Sequence, residues 1–196
     1  MELYRQNSKS PMLYPSRQEC YELMAAHAML GHIREHSLLV TRVAVLLGEA
    51  LAAAGFPLHL PLIEAGALLH DLGKTPCLGT GRNHAEWGAA VLAGMGYPEV
   101  AQIVREHVYL AVDPGASLPP REAEVVNYAD KRVLHTRVVT LSERFADLKE
   151  RYGHTSEAQA RLEALGLKVQ VLEEKIFTPL ELTPGDLLQL NHRRDQ

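Results

Sequence analysis

Cysteine, aromatic residues and surplus positive charge are all scarce in this 196-residue chain, and each shortage closes off a class of protein. The two cysteines, Cys20 and Cys77, stand far apart with no Cys-x-x-Cys pair, which argues against a disulfide framework and against a thiolate zinc site. A reducing cytoplasmic setting is the expectation. Lys and Arg number 20 against 24 Asp and Glu, so the net charge of −4 offers no broad attraction for a polyanion, and bulk nucleic-acid binding is not expected. A small phosphorylated ligand needs only a few local cations and stays open. The first residues are polar and contain proline, with no apolar leader core, and no window approaches ~18 uninterrupted apolar residues, so neither a secretory signal nor a membrane span is expected. Aromatic residues make up 6% of the chain, but apolar residues reach 46% and charged ones 22%, an ordinary globular balance.

Strand signals are missing as well. No stretch sustains the period-2 alternation of β-branched residues that marks a half-buried strand, whereas helical periodicity runs through most of the chain, so the fold class is all-α. Helices are expected over 17–29, 33–54, 60–70, 84–95, 98–110, 121–133, 139–151, 156–177 and 184–190. Gly55 with Pro57, Gly73, and the loop from Gly79 to Gly81 supply the breaks. Asn83 with Glu86 three residues on has the pattern of a capping box that starts a helix at His84. The expected organisation is an N-terminal segment and helix over 1–30, a central helical unit over 31–152, and a C-terminal helical extension over 153–196. In that extension Leu162, Leu165, Val169, Leu172 and Ile176 form a narrow apolar stripe that packs on its own domain or, alternatively, on a second copy in a homodimer.

Several polar residues occupy places where apolar ones belong. His36 lies in line with Val40, Val43 and Leu47, positions that share one helix face. His84 lines up with Gly88, Val91 and Met95. His107 follows Val100, Ile103 and Val104, and Asp130 follows Val126. A lone histidine so placed is ordinarily a core residue satisfied by neighbouring carbonyls, but a buried Asp needs a cation or several donors, and so many together point to a shared ion.

The centre of the pattern is the run Gly66-Ala67-Leu68-Leu69-His70-Asp71-Leu72-Gly73-Lys74. An apolar helix carries an adjacent His and Asp to its end, where a glycine turns the chain. Neighbours on a regular helix diverge by about 100°, so one ion lodged at the break explains the pair best. Imidazole nitrogen with carboxylate oxygen suits Mn, Fe, Co, Ni or Zn better than Ca or Mg.

On these residues the chain resembles the HD-domain metal-dependent phosphohydrolases, whose signature is a His, a later His-Asp pair and a final Asp: here His36, His70 with Asp71, and Asp130. His-Asp-Leu-Gly-Lys is similar to the His-Asp-Ile-Gly-Lys form of the motif, and the likeness spans about 33–151. It implies a helical HD-domain bundle. It also implies that His36, His70, Asp71 and Asp130 hold one divalent ion, and that Asp71, His84 and His107 hold a second in the members that bind two. The Gly-Tyr-Pro element of the members that cleave cyclic dinucleotides is replaced here by Val108-Tyr109-Leu110, which turns the expectation toward nucleotides or other small phosphate esters.

The implied chemistry is hydrolysis by a metal-activated water, with Asp71 at the centre and no protein nucleophile. Lys74 is the first candidate for contact with the substrate phosphate, Lys131 and Arg132 come next, and Arg82 and Arg105 follow. Glu35 and Glu106 precede proposed ligands and are candidates for proton transfer. Histidines 27, 32, 59, 135, 154 and 192 are assigned to surface or packing. Two other readings share the ligand set: a di-iron oxygenase, and a non-catalytic metal- or nucleotide-binding regulatory module.

Overall fold

The computed structural model describes residues 13–115 and 119–192. Most of the N-terminal segment, the middle of the 113–120 loop and the last four positions lie outside the described residues.

Helix α1 (Arg17–Ala26) starts on a full capping box, in which Ser16 and Glu19 satisfy each other's backbone amides. It packs on α3 (Leu60–Leu69), and Arg17 pairs with Glu64 across that contact. Helix α2 (Gly31–Ala53) buries the face that carries Ile33, His36, Val40, Val43 and Leu47 against α3 and α7 (Glu122–Lys131). Alone among the described helices, α2 is long and apolar enough to cross a membrane by length and composition, yet it is the central helix of this bundle.

After α3 the chain makes a short turn of helix, α4 (Lys74–Cys77), then a loop, then α5 (His84–Gly94) and α6 (Pro98–Glu106), which pack closely on each other. The forward half of the expected cap forms at α5, where the Asn83 side chain accepts from the amides of Ala85 and Glu86. Glu86 itself turns outward to Arg105, 3.0 Å away. Leu47, Leu51, Ile63, Leu68, Leu69, Leu72 and Leu92 are all fully buried where these helices meet. At ~1.5 to 3 kcal/mol per buried aliphatic side chain, this apolar core is what holds polar ligands in its middle.

The all-α expectation stands, with one local correction. A two-residue hairpin, β1 (Val133–Leu134) against β2 (Arg137–Val138), takes the expected last residue of one helix and fills the gap before the next, which begins at Leu141 instead of 139. Strands of two residues are too short to leave an alternating pattern. The reversal is made by His135, which adopts a left-handed φ of 53°.

Helix α8 (Leu141–Tyr152) and helix α9 (Ser156–Phe177) pack on each other, and α9 also packs on α7. Val169, Leu172 and Ile176 of the apolar stripe are buried on this chain's own core. Lys175 reaches the buried Glu124 at 2.8 Å, and a 3₁₀ segment (Pro184–Asn191) closes over β2.

Candidate metal centre

Five elements deliver the polar residues to one point. His36 comes from the first turns of α2, His70 caps α3, and Asp71 lies in the break that follows it. His84 opens α5, His107 caps α6, and Asp130 sits one residue before the end of α7. The break is possible because Gly73 has no side chain. A Cβ there would stand 2.1 Å from the His84 carbonyl oxygen, so the glycine lets the α5 N-terminus close directly onto the His-Asp turn.

Asp71 divides its two oxygens between two groups of candidate ligands. Oδ2 lies 3.3 Å from His70 Nε2 and 3.9 Å from His36 Nε2. Asp130 Oδ1 completes that group, 3.1 Å from His36 Nε2 and 3.7 Å from His70 Nε2. On the other side, Oδ1 lies 3.5 Å from both His84 Nε2 and His107 Nε2, which are themselves 3.1 Å apart. An ion with ~2.1 Å bonds separates its ligand atoms by roughly 3.0 Å at a right angle and 3.4 Å at a tetrahedral one, so both triangles have the size of a coordination sphere.

The hydrogen bonding fits the same use. Nδ1 of His36 bonds the carbonyl of His135, Nδ1 of His70 that of Ala67, and Nδ1 of His107 that of Val104, at 3.0, 2.7 and 2.6 Å. A carbonyl only accepts, so each Nδ1 carries a proton and Nε2 is the ring atom turned to the centre. His70 Nε2 and both Asp71 oxygens are buried without a hydrogen-bond donor, the condition that a cation relieves. Lys74 Nζ stands 2.7 Å from Asp71 Oδ2, as an ion pair out of line for a hydrogen bond.

Electrostatics divides the two halves. Burial pushes His84 down to about 4, helped by the neighbouring His107, and burial lowers His107 as well. For His70 burial acts in the same direction, but the carboxylates of Asp71 and Asp130 outweigh it and the net shift is upward. Burial opposes ionisation of both aspartates, yet His70 and Lys74 hold Asp71 well below the usual carboxylate range, and Lys131 and His36 do the same for Asp130. The carboxylates are therefore charged and the α5–α6 histidines neutral, the forms in which they bind metal.

The centre opens on a cavity of about 670 Å³ whose lining includes His36, Asp71 and His84 together with Lys74, Arg82, Arg144 and Arg151. Of the candidate phosphate contacts, Lys74 and Arg82 reach this space and three others do not. Lys131 is buried and its ammonium bonds Asp130 and the His107 carbonyl, so it supports ligands and does not face the cavity. Arg132 is fully buried and spends its guanidinium on the carbonyls of Val139 and Pro184, on Tyr128 and on Glu173, which ties α7 to the C-terminal elements. Arg105 pairs with Glu86 outside the cavity. Glu35 is exposed and away from the cavity, while Glu106 is committed to Arg121, Gln102 and the Ala111 amide.

Residues the sequence did not single out also appear. His32 and His135 line the cavity instead of serving only as surface or packing, and Arg144 and Arg151 come from α8. Two arginines seven residues apart lie on one helix face, a signal that looks the same as a solvated charged helix until the fold shows what that face meets.

These features define an all-helical protein whose buried His and Asp side chains suit divalent metal binding. The HD domain family model matches residues 33–133, which contain all six proposed ligands, and the chain belongs to the HD domain family. It is 27% identical over 134 residues to an uncharacterized protein of Methanocaldococcus jannaschii, covering 62% of this chain and 78% of that one. It is 29% identical over 119 residues to a tRNA (cytidine(56)-2'-O)-methyltransferase of Thermoplasma volcanium, covering 60% of this chain but only 31% of that enzyme. No solved structure matches the chain.

Proposed function

We propose that this protein is a metal-dependent phosphohydrolase that cleaves a phosphate ester of a nucleotide or another small phosphorylated molecule. The observation that carries the reading is the division of the Asp71 carboxylate between two histidine groups at the edge of a cationic cavity. His36, His70, Asp71 and Asp130 would hold one divalent ion, and Asp71, His84 and His107 a second. Such ions acidify water and offset phosphoryl charge.

The chain's own residues supply the rest. Lys74, half-exposed beside Asp71, presents a cation to the scissile phosphate, and Arg82 adds a second from the loop before α5. Lys131 holds Asp130 and the His107 carbonyl in place from behind. The cavity volume lies within the ~300 to 1,000 Å³ usual for small-molecule sites.

The test is metal content by plasma mass spectrometry together with phosphate release from nucleotides and p-nitrophenyl phosphate in Mn, Fe and Co. Two ions per chain, falling to one in His84→Ala and to nearly none in Asp71→Ala, with phosphate release lost in both variants, is the expected result. Oxygen uptake by the iron-loaded protein without phosphate release from any ester would overturn it in favour of an oxygenase.

A further inference from the structure

The chain carries a net charge of −4, yet its cavity is lined by Lys74, Arg82, Arg144 and Arg151, with Asp71 as the one lining carboxylate among the described residues. Lys74 accompanies the metal centre. The two α8 arginines do not: they lie beyond residue 133, where the family match ends, and they line the same cavity.

Their surroundings leave charge and donors unspent. Arg144 Nη1 and Arg151 Nη1 share a single carboxylate, Asp147, at 3.3 and 3.5 Å. Two cations therefore divide one anion, although each has other donors free for a ligand. The Arg144 side chain is only 13% exposed and its Nε is buried without a partner. A buried guanidinium N–H left unbonded costs free energy that an incoming acceptor would recover. Arg144 and Lys74 are like charges lining one cavity, so they repel each other across it. Anions relieve that repulsion.

Both Nη1 atoms lie within 3.5 Å of the same Asp147 oxygen, so the two guanidiniums converge closely enough to grip one phosphate between them. Solvated surface arginines would show neither the buried orphan Nε nor the common cavity with the metal ligands.

We propose that Arg144 and Arg151 form a second anion subsite, so that the substrate carries another phosphate group beyond the one hydrolysed. Resting on the phosphohydrolase reading, this narrows the substrate class to bisphosphates and to di- or polyphosphates. In both, planar guanidinium forks grip the distal phosphate while the metal centre takes the scissile one.

Calorimetric titration of the metal-loaded full chain with AMP, ADP and adenosine 3′,5′-bisphosphate tests it. At least one of the two doubly phosphorylated ligands should bind about tenfold more tightly than AMP, the scale of one or two charge-assisted hydrogen bonds. Which of the two gains tells whether the phosphates are joined or separate. Arg144→Gln with Arg151→Gln should abolish the ratio while metal content stays at the wild-type value. Arg151→Gln alone, at a half-exposed position that cannot unfold the bundle, should reduce it. Equal affinity for all three ligands in the wild type, or a ratio that survives the double substitution, overturns the subsite but leaves the phosphohydrolase reading standing where AMP binds. Wild type that holds its ions and binds none of the three ligands overturns the subsite, and continued phosphate release from p-nitrophenyl phosphate then shows that the hydrolase reading survives it.

Discussion

Gly73 and His84 meet backbone to backbone: a Cβ added at Gly73 would lie 2.1 Å from the His84 carbonyl oxygen and 3.1 Å from the Gly88 amide nitrogen. Neither atom is the end of a flexible side chain. The glycine after the His-Asp pair therefore sets how closely α5 approaches Asp71, and with it the 3.5 Å separation of His84 Nε2 from Asp71 Oδ1.

Gly73→Ala should push the α5 N-terminus away, spoil the His84 side of the centre and cost about 1 to 3 kcal/mol, the usual range for overpacking. Metal content should fall toward one ion per chain with His36, His70 and Asp130 unaltered. A wild-type ion count in a folded Gly73→Ala protein would disprove the spacer role.

Lys131 illustrates a different dependence. Its buried ammonium sits 2.7 Å from Asp130 Oδ2, so it neutralises the carboxylate of a proposed ligand from behind. Lys131→Met removes one member of a buried charge pair and should destabilise the metal-free protein by about 3 to 5 kcal/mol. Added divalent metal supplies replacement charge and should recover more melting temperature in the variant than in wild type. If Lys131 instead touched substrate, the variant would melt normally and raise KM alone.

Arg132→Met should cost about 1 to 3 kcal/mol, because it leaves the carbonyls of Val139 and Pro184 without their buried donor, while Glu173 keeps its hydrogen bond from Tyr128. Thermal melting measures the loss. Metal content of the folded fraction should not change, since none of these bonds reaches a ligand.

The contrast between these residues shows what was legible in the sequence. His36, His70, Asp71, His84, His107 and Asp130 stood out because each interrupts an apolar stripe or a helix end, and an interruption of burial is a local signal. Lys131 and Arg132 were misread because adjacency to Asp130 says nothing about direction: successive helix residues diverge by about 100°, and long side chains choose their partner in the folded state. Arg144 and Arg151 belong to an amphipathic helix with no buried residue, where such arginines look the same in sequence as a solvated face. The role of His135 depends on a hairpin too short for periodicity to reveal, and what it contributes to His36 is a backbone carbonyl. Carbonyls have no sequence signature.

Protons should act on the metal-free protein through His84. Burial lowers this ring from its ordinary 6.5 to about 4. Between those values the unfolded chain carries the proton and the native one does not, so unfolding takes up a proton and stability falls as pH drops. Above 6.5 both states are neutral and nothing is lost. At ~1.36 kcal/mol per unit, the loss by pH 4 is at most about 3 kcal/mol. Urea titrations of chelator-treated wild type and His84→Gln at pH 7.5, 5.5 and 4.5 isolate this contribution, because the other titrating groups are common to both. The stability of wild type relative to His84→Gln should decline steadily on acidification. A constant difference across the three values would mean that the ring protonates in place, and that His84 is too open to water to be the neutral ligand described above.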